Sequence, residues 1–162
     1  MAVALVGLAA IGGIVALFTT HHSAAIPPRP AAAASEELDA APAQVAVVDA
    51  GTLRLRDRVV RLSGVEPPAR GAQCGSGRDC GAAATDALAA MVREAPVACR
   101  LSGEDRMGRP FAVCQVSGTE LNQAVIAAGW ARTDSAEPLL RQAEATARAQ
   151  RRGVWAAGNI SW

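Results

Sequence analysis

The stretch RLSGVEPPAR, residues 61–70, decides how the rest of this sequence is interpreted. It joins the end of an alternating segment, VVRLSGV, to a short loop, EPPAR, which holds one carboxylate, two prolines and an arginine. Proline restricts the backbone of such a loop, and a carboxylate close to arginines is a common arrangement at the rim of an active site. Whether this loop can still take part in catalysis depends on the acidic and basic residues around it.

Alternation of apolar and polar residues begins at Gln44 and continues to the start of the loop, with a break at residues 49–51 and a turn near Asp57. Leu53 and Leu55 point to one side of a strand, and the arginines between and after them point to the other. This period of two predicts three short antiparallel strands.

Helix and hairpin signals follow. CGAAATDALAAMVREA, from Cys80, has the composition and spacing of a helix, and PVACRLSG and RPFAVCQVSG predict a hairpin. TELNQAVIAAGW predicts a second helix with Thr119 as its N-cap. SAEPLLRQAEATARAQRRGVW predicts a third, capped by Ser135 and ended by Gly153. The order β-β-β-α-β-β-α-α predicts a mixed β and α fold, a five-stranded OB-fold barrel with three helices.

The N-terminal segment MAVALVGLAAIGGIVALF is apolar and uncharged. As a helix it would span about 27 Å, which is close to the thickness of the bilayer hydrocarbon. It predicts an uncleaved membrane anchor, with a signal peptide cleaved near residues 23–25 as the alternative. Residues 21–43 mix proline, alanine and charges without periodicity, which is typical of a flexible linker.

These boundaries predict a hydrophobic helix at 1–20, a linker at 21–43, a globular domain at 44–157 and a tail at 158–162. The domain is expected to be exported to the periplasm or the cell exterior, anchored to the membrane, or secreted if the segment is cleaved. Nothing in the sequence predicts an oligomer, so a monomer is expected.

Four cysteines fit an exported protein. Cys99 and Cys114 flank the predicted hairpin turn at equal distances, so they would lie opposite one another. Cys74 and Cys80 lie in one glycine-rich loop. The spacing suits a zinc site poorly, so disulfides Cys74–Cys80 and Cys99–Cys114 are the favoured prediction.

Formal net charge is +1, and aromatic residues make up 3% of the chain. The low charge shows no general attraction to a polyanion, although a local basic face stays open. So few aromatic rings argue against an OB-fold binder that stacks single-stranded nucleic acid.

Five segments in collinear order resemble the staphylococcal nuclease family: VVDAGTLRL, VRLSGVEPP, DRMGRPFAVC, ELNQAVIAAGWA and EATARAQRRGVW. The resemblance implies an OB barrel with three helices and a calcium-dependent phosphodiesterase that cuts DNA and RNA. In such a site the ion takes carboxylate oxygens and polarises the phosphate, a carboxylate orients water, and two arginines hold the phosphate.

By this resemblance, Arg61 and Arg109 match the two phosphate-binding arginines. Glu66 replaces one aspartate ligand of calcium, and Gly51 stands where the family has another. Ala69 replaces the glutamate that serves as general base. The two arginines are therefore retained, and two of three carboxylates are lost.

Smaller departures lie beside these positions. Pro67 occupies a position that holds alanine or threonine in the family motif, and Met107 replaces an aromatic residue. Asp49, two residues before Gly51, is the candidate replacement for the lost calcium ligand, and Glu66 is a weak calcium ligand.

The sequence thus favours an exported thermonuclease-like domain that has lost its nuclease activity and serves as a binding or structural module, with no cofactor. The alternative is an active calcium-dependent nuclease with a rearranged site. In the first case Arg61 and Arg109 are a relict phosphate clamp or solvated arginines, with Arg61 able to pair with Glu66.

Overall fold

A computed structural model describes residues 35–75, 77–158, 160 and 162. The predicted membrane anchor and most of the predicted linker lie outside these residues. Within the described part of the chain, no helix combines the length and the apolar composition needed to cross a bilayer.

The alternating segment forms three consecutive antiparallel strands, as predicted. They are β2 (Val45–Asp49), β3 (Thr52–Leu55) and β4 (Arg58–Leu62), and a short strand, β1 (Glu37–Ala40), precedes them. Leu53 and Leu55 are fully buried while the arginine between them is exposed. The burial pattern therefore follows the period of two.

The first strand, β1 (Glu37–Ala40), lies in the segment that the sequence assigned to the linker. The sequence missed it because ELDA is short, polar and flanked by alanine and proline. A 3-10 turn at Pro42–Gln44 separates it from β2. The linker prediction is therefore wrong for its last residues, which belong to the folded domain.

The remaining long strands are β7 (Val97–Glu104) and β8 (Pro110–Val116), which form the predicted hairpin. The order of the sheet is β1-β7-β8-β4-β3-β2. Its two end strands, β1 and β2, are consecutive in the chain and separated only by the 3-10 turn. The sheet therefore curves back on itself, as in an OB barrel whose first strand is bent in two.

Three short strands lie outside this order. They are β5 (Gln73–Cys74), β6 (Arg78–Asp79) and β9 (Thr119–Glu120), the last of which pairs with β8. Thr119 therefore belongs to a strand and does not cap the second helix, because its backbone pairs with Val116.

Three helices pack against the barrel: α1 (Cys80–Val92), α2 (Leu121–Ala127) and α3 (Pro138–Ala149). Ser135 is not the N-cap of α3, although its hydroxyl accepts a hydrogen bond from the N–H of Glu137. Gly153 does not end α3 but opens a second 3-10 turn, Gly153–Ala157. The helix ends earlier because Arg151 adopts a left-handed conformation.

Both predicted cysteine pairs are joined as disulfides. Cys99 and Cys114 are direct cross-strand partners on β7 and β8, with Cα atoms 4.1 Å apart. Cys74 and Cys80 connect β5 to the first residue of α1. One disulfide therefore lies in the main core, and the other lies in a smaller cluster with Val154.

Candidate functional site

The two candidate arginines are positioned by adjacent strands. Arg61 is in β4 and Arg109 directly precedes β8. The Cα atom of Arg61 is paired in parallel with that of Phe111, two residues after Arg109. Val60 and Leu62 are buried on either side of Arg61 in sequence, so the Arg61 side chain is on the outer face of the barrel.

Arg61 is held by Glu66. Its terminal nitrogen donates to the Glu66 carboxylate over 2.9 Å, and the side chains are 25% and 36% exposed. The backbone of Glu66 exchanges hydrogen bonds with that of Arg132, which fixes the loop after β4. Arg61 Nε is buried without a hydrogen-bond partner among the described residues. The structure therefore contains the Arg61–Glu66 pair that the sequence offered as one alternative.

Arg109 is held by Asp105. The Nε of Arg109 donates to Asp105 Oδ2 over 2.7 Å, and its backbone N–H donates to Oδ1 over 3.0 Å. Asp105 lies within the DRMGR motif, but its pairing with Arg109 was not among the sequence-based predictions. An aspartate four residues before an arginine across a glycine-containing turn is a signal that could have found this pair.

The turn also shapes the titration of Asp105. Desolvation raises the pKa of this carboxyl, but hydrogen bonds from the backbone and side chain of Arg109 and from the N–H of Met107 outweigh it. The net result is that the pKa of Asp105 lies below its ordinary value. Met107, at the tip of the turn, is 78% exposed.

Formal charges in this arrangement cancel. Two guanidinium groups, Arg61 and Arg109, face two carboxylates, Glu66 and Asp105, each within hydrogen-bond distance of its own partner. An incoming phosphate would therefore have to compete with an internal carboxylate at both arginines.

Gly51 lies in the turn between β2 and β3, against the loop that follows β4. An ideal Cβ built on Gly51 would lie 2.9 Å from Cδ and 3.2 Å from Cγ of Pro67. The oxygen of Val65 would also be 3.2 Å away. The proline ring therefore occupies the space into which a side chain at residue 51 would project. Both departures are evident from the sequence, but their proximity is evident only from the structure.

Asp49 ends β2, and its carboxylate is already engaged. Its Oδ1 accepts a hydrogen bond from the N–H of Gly51 over 2.9 Å, which stabilises the turn. Asp49 is the last residue of β2, whereas Gly51 lies in the turn after it. The pairing of β2 with β3 is irregular between Val47 and Asp49.

Ala69 is exposed on the loop after β4. Its carbonyl oxygen accepts a hydrogen bond from Ala72 and lies 2.3 Å from an ideal Cβ on Gly81, at the start of α1. Only a glycine at residue 81 permits this close approach. The loop is therefore fixed by backbone contacts and carries no carboxylate at the position of the expected base.

The residues present do not fit the calcium ion that the resemblance implies. Glu66 pairs with Arg61, Asp49 supports its own turn, and the space beside Gly51 is filled. Among residues 35–75, 77–158, 160 and 162, no three histidine, cysteine, aspartate or glutamate side chains form a group able to hold a metal ion.

Comparison with known families matches residues 59–157 to the model of the staphylococcal nuclease homologue family. That match covers more than half of the chain. The chain belongs to the staphylococcal nuclease homologue family. Comparison with curated proteins finds no match.

The matched region begins at Val59 and ends at Ala157, so it contains β4 except its first residue, the loop after it, the Asp105–Arg109 turn and the three helices described above. The segment with Asp49 and Gly51 precedes the matched residues. The family assignment therefore rests on the arginine-bearing part of the barrel, and the predicted nuclease-like fold is confirmed.

Proposed function

We propose that this chain is an exported, membrane-tethered member of the staphylococcal nuclease homologue family that has lost calcium-dependent cleavage and acts as a binding or structural module. The observation that carries the proposal is the position of the Pro67 ring, which occupies the space that a Cβ at residue 51 would need. Gly51 stands where the family has a carboxylate that binds calcium, and Pro67 stands where the family has a smaller residue. The proline ring therefore takes the space that the lost carboxylate side chain would occupy.

The state of the arginines supports the same proposal. Each guanidinium already has an internal carboxylate, so the local field that would attract a phosphodiester is largely neutralised. The Nε of Arg61, buried without a described partner, is the feature that favours a remaining binding role. An arginine kept only for the fold would be expected to satisfy this donor.

Cleavage of single-stranded DNA is the direct test. The full-length oxidised protein is incubated with calcium, beside an Arg109→Ala variant. We expect no cleavage above background by either protein, since neither a second carboxylate ligand nor a general base is in place. Cleavage that requires calcium and disappears in Arg109→Ala would overturn the proposal and establish the alternative, an active nuclease with a rearranged site.

Whether Arg61 still binds the phosphates of nucleic acid is tested separately from catalysis. Fluorescence anisotropy of a labelled oligonucleotide, measured without calcium, compares the native chain with Arg61→Ala and with Arg93→Ala as a control for loss of one exposed positive charge. A binding role predicts weaker binding for Arg61→Ala alone. Equal binding by all three proteins would leave the structural role as the function of this barrel face.

Export and tethering are supported by the apolar N-terminal segment and by the two disulfides, which persist in oxidising compartments. Fractionation of cells followed by protease treatment tests both. We expect the chain in the membrane fraction, with its domain digested from outside. Recovery from the cytosol with reduced cysteines would contradict this part of the proposal.

A further inference from the structure

A second concave site lies away from the arginines, beside the Cys74–Cys80 disulfide. It is a pocket of about 390 Å³, within the usual range for small-molecule sites. Its lining includes both cysteines of this disulfide, Trp130 and Ala156, together with one charged residue, Arg78. None of its described lining residues belongs to the Arg61–Glu66 or Arg109–Asp105 pair.

One wall of the pocket is fixed by a close backbone contact. An ideal Cβ on Gly153 would lie 2.4 Å from the carbonyl oxygen of Gly129, and the N–H of Val154 donates to that oxygen over 2.9 Å. This contact connects the end of α2, where Trp130 follows, to the 3-10 turn that carries Ala156.

A second part of the pocket lining is fixed covalently. The disulfide joins β5 to the start of α1, and the N–H of Cys80 donates to the carbonyl of Ala72 over 2.8 Å. Both cysteine side chains are buried against Val154 and the Trp130 ring. Because both parts of the lining are held before any ligand arrives, binding requires little ordering of the protein.

The charge of the pocket is positive. Arg78 is exposed and takes part in none of the salt bridges among the described residues. The next residue, Asp79, is turned to the helix, where its carboxylate accepts a hydrogen bond from the N–H of Ala82. The described lining contains no acidic side chain.

We propose that this pocket binds a small organic carboxylate. Its apolar body packs on the Trp130 ring and the disulfide, and its carboxylate receives charge-assisted hydrogen bonds from the Arg78 guanidinium. An uncharged ligand of the same shape would make the first contact and not the second. This binding function is independent of whether cleavage at the other site survives.

The test uses isothermal titration calorimetry of the full-length oxidised chain in a nonionic detergent. The probes are 2-naphthylacetate and its uncharged analogue 2-naphthylacetamide, whose shapes are nearly the same. We expect the carboxylate to bind at least about ten-fold more tightly, as one charge-assisted contact implies. Arg78→Ala should remove this difference by weakening only the carboxylate, and the exposed control Arg93→Ala should preserve it.

Ala156→Leu tests the cavity itself without changing its charge. The larger side chain reduces the space beside Trp130, so both probes should bind at least about ten-fold more weakly. Retained amide binding by Arg78→Ala shows that the variant is folded. Two results with the native chain would overturn the proposal: equal affinity for the two probes, or no binding of the carboxylate at about 1 mM. Two results with the variants would also overturn it: equal effects of Arg78→Ala and Arg93→Ala, or unchanged binding of both probes to Ala156→Leu.

Discussion

At the scale of single residues, two substitutions that are separate in the sequence become one structural event. Gly51 removes a side chain, and Pro67 adds a ring in the space that the side chain would need. Either change alone would leave a cavity or a clash, and both are costly in a packed region. Together, Gly51 and Pro67 explain how this part of the barrel fills its space without the carboxylate side chain that the family has at residue 51.

Gly51→Asp should destabilise the protein by about 1–3 kcal/mol, because its Cβ would collide with Pro67. Chemical denaturation with and without calcium measures this, and we expect calcium to leave the free energy of unfolding unchanged. The double variant with Pro67→Ala should be more stable than the sum of the two single changes predicts. A Gly51→Asp protein that is fully stable, or that calcium stabilises, would contradict the filled-space interpretation.

Asp105 stabilises the turn in its ionised form. Because its folded pKa lies below the ordinary carboxyl value, its contribution is present above about pH 4 and is lost as the pH falls through the folded pKa. Asp105→Asn should therefore be less stable than the native chain at pH 7, with the difference shrinking in more acidic solution.

Urea midpoints measured across this pH range provide the check, with Asp86→Asn as the control, since Asp86 is exposed on α1. The control should follow the native chain throughout. A destabilisation by Asp105→Asn that stays constant down to the acid limit would show that the effect is steric and not ionic.

At the scale of elements, the junction between β4 and β8 depends on one buried amide. The two strands are paired in parallel only at Arg61–Phe111 and Leu62–Ala112 and then separate. Asn122, from α2, fills the point of separation: its amide donates to the carbonyls of Ser63 and Ala112, and its oxygen accepts from the N–H of Cys114. This residue positions the start of the loop that carries Glu66.

Asn122→Ala should destabilise the protein by about 2–4 kcal/mol, because buried backbone groups of β8 and the loop lose their partners. Asn122 itself is 1% exposed, so water cannot replace the lost contacts without rearrangement. Equilibrium unfolding is the measurement, and Gln123→Ala, one residue along the same helix, is the matched control. Equal stability of the two variants would exclude the proposed bridging role.

At the scale of the whole molecule, closure of the barrel depends on a strand that precedes the alternating segment. β1 pairs with β7 over four residues, and Ala40 is 1% exposed. Without β1, the edge of β7 would present unpaired backbone groups to solvent or to another molecule.

A chain that begins at residue 44 should therefore be less stable than one that begins at residue 33, by about 2–4 kcal/mol for the lost ladder. A chain that begins at residue 37 keeps β1 and loses only Glu36 and what precedes it, including the Arg58–Glu36 ion pair, so it is the matched control. Thermal and urea unfolding compare the three. Full stability of the shortest chain would show that β1 is dispensable for closure.

Much of the fold was predictable because its signals are local. Alternation along β3 and β4 follows from the geometry of a strand, and the cysteine pair on the hairpin follows from equal distances to a turn. The helix caps were less predictable. Thr119 has the chemistry of a cap, but pairing with β8 decides its conformation, and Gly153 is used for a close contact with Gly129 in place of a helix end.

In the candidate site, too, some features follow from the sequence and others depend on tertiary contacts. The sequence by itself determined that Arg61 and Arg109 are present and that residues 51 and 69 carry no carboxylate, because side-chain chemistry is a property of each residue. The sequence also allowed the short-range pairs Arg61–Glu66 and Asp105–Arg109, and the structure shows that both form. Only the tertiary structure decided that Pro67 fills the space beside Gly51, that β1 completes the sheet, and that Arg78 lines a pocket. These three features join residues far apart in the chain, where no period or motif records which surfaces meet.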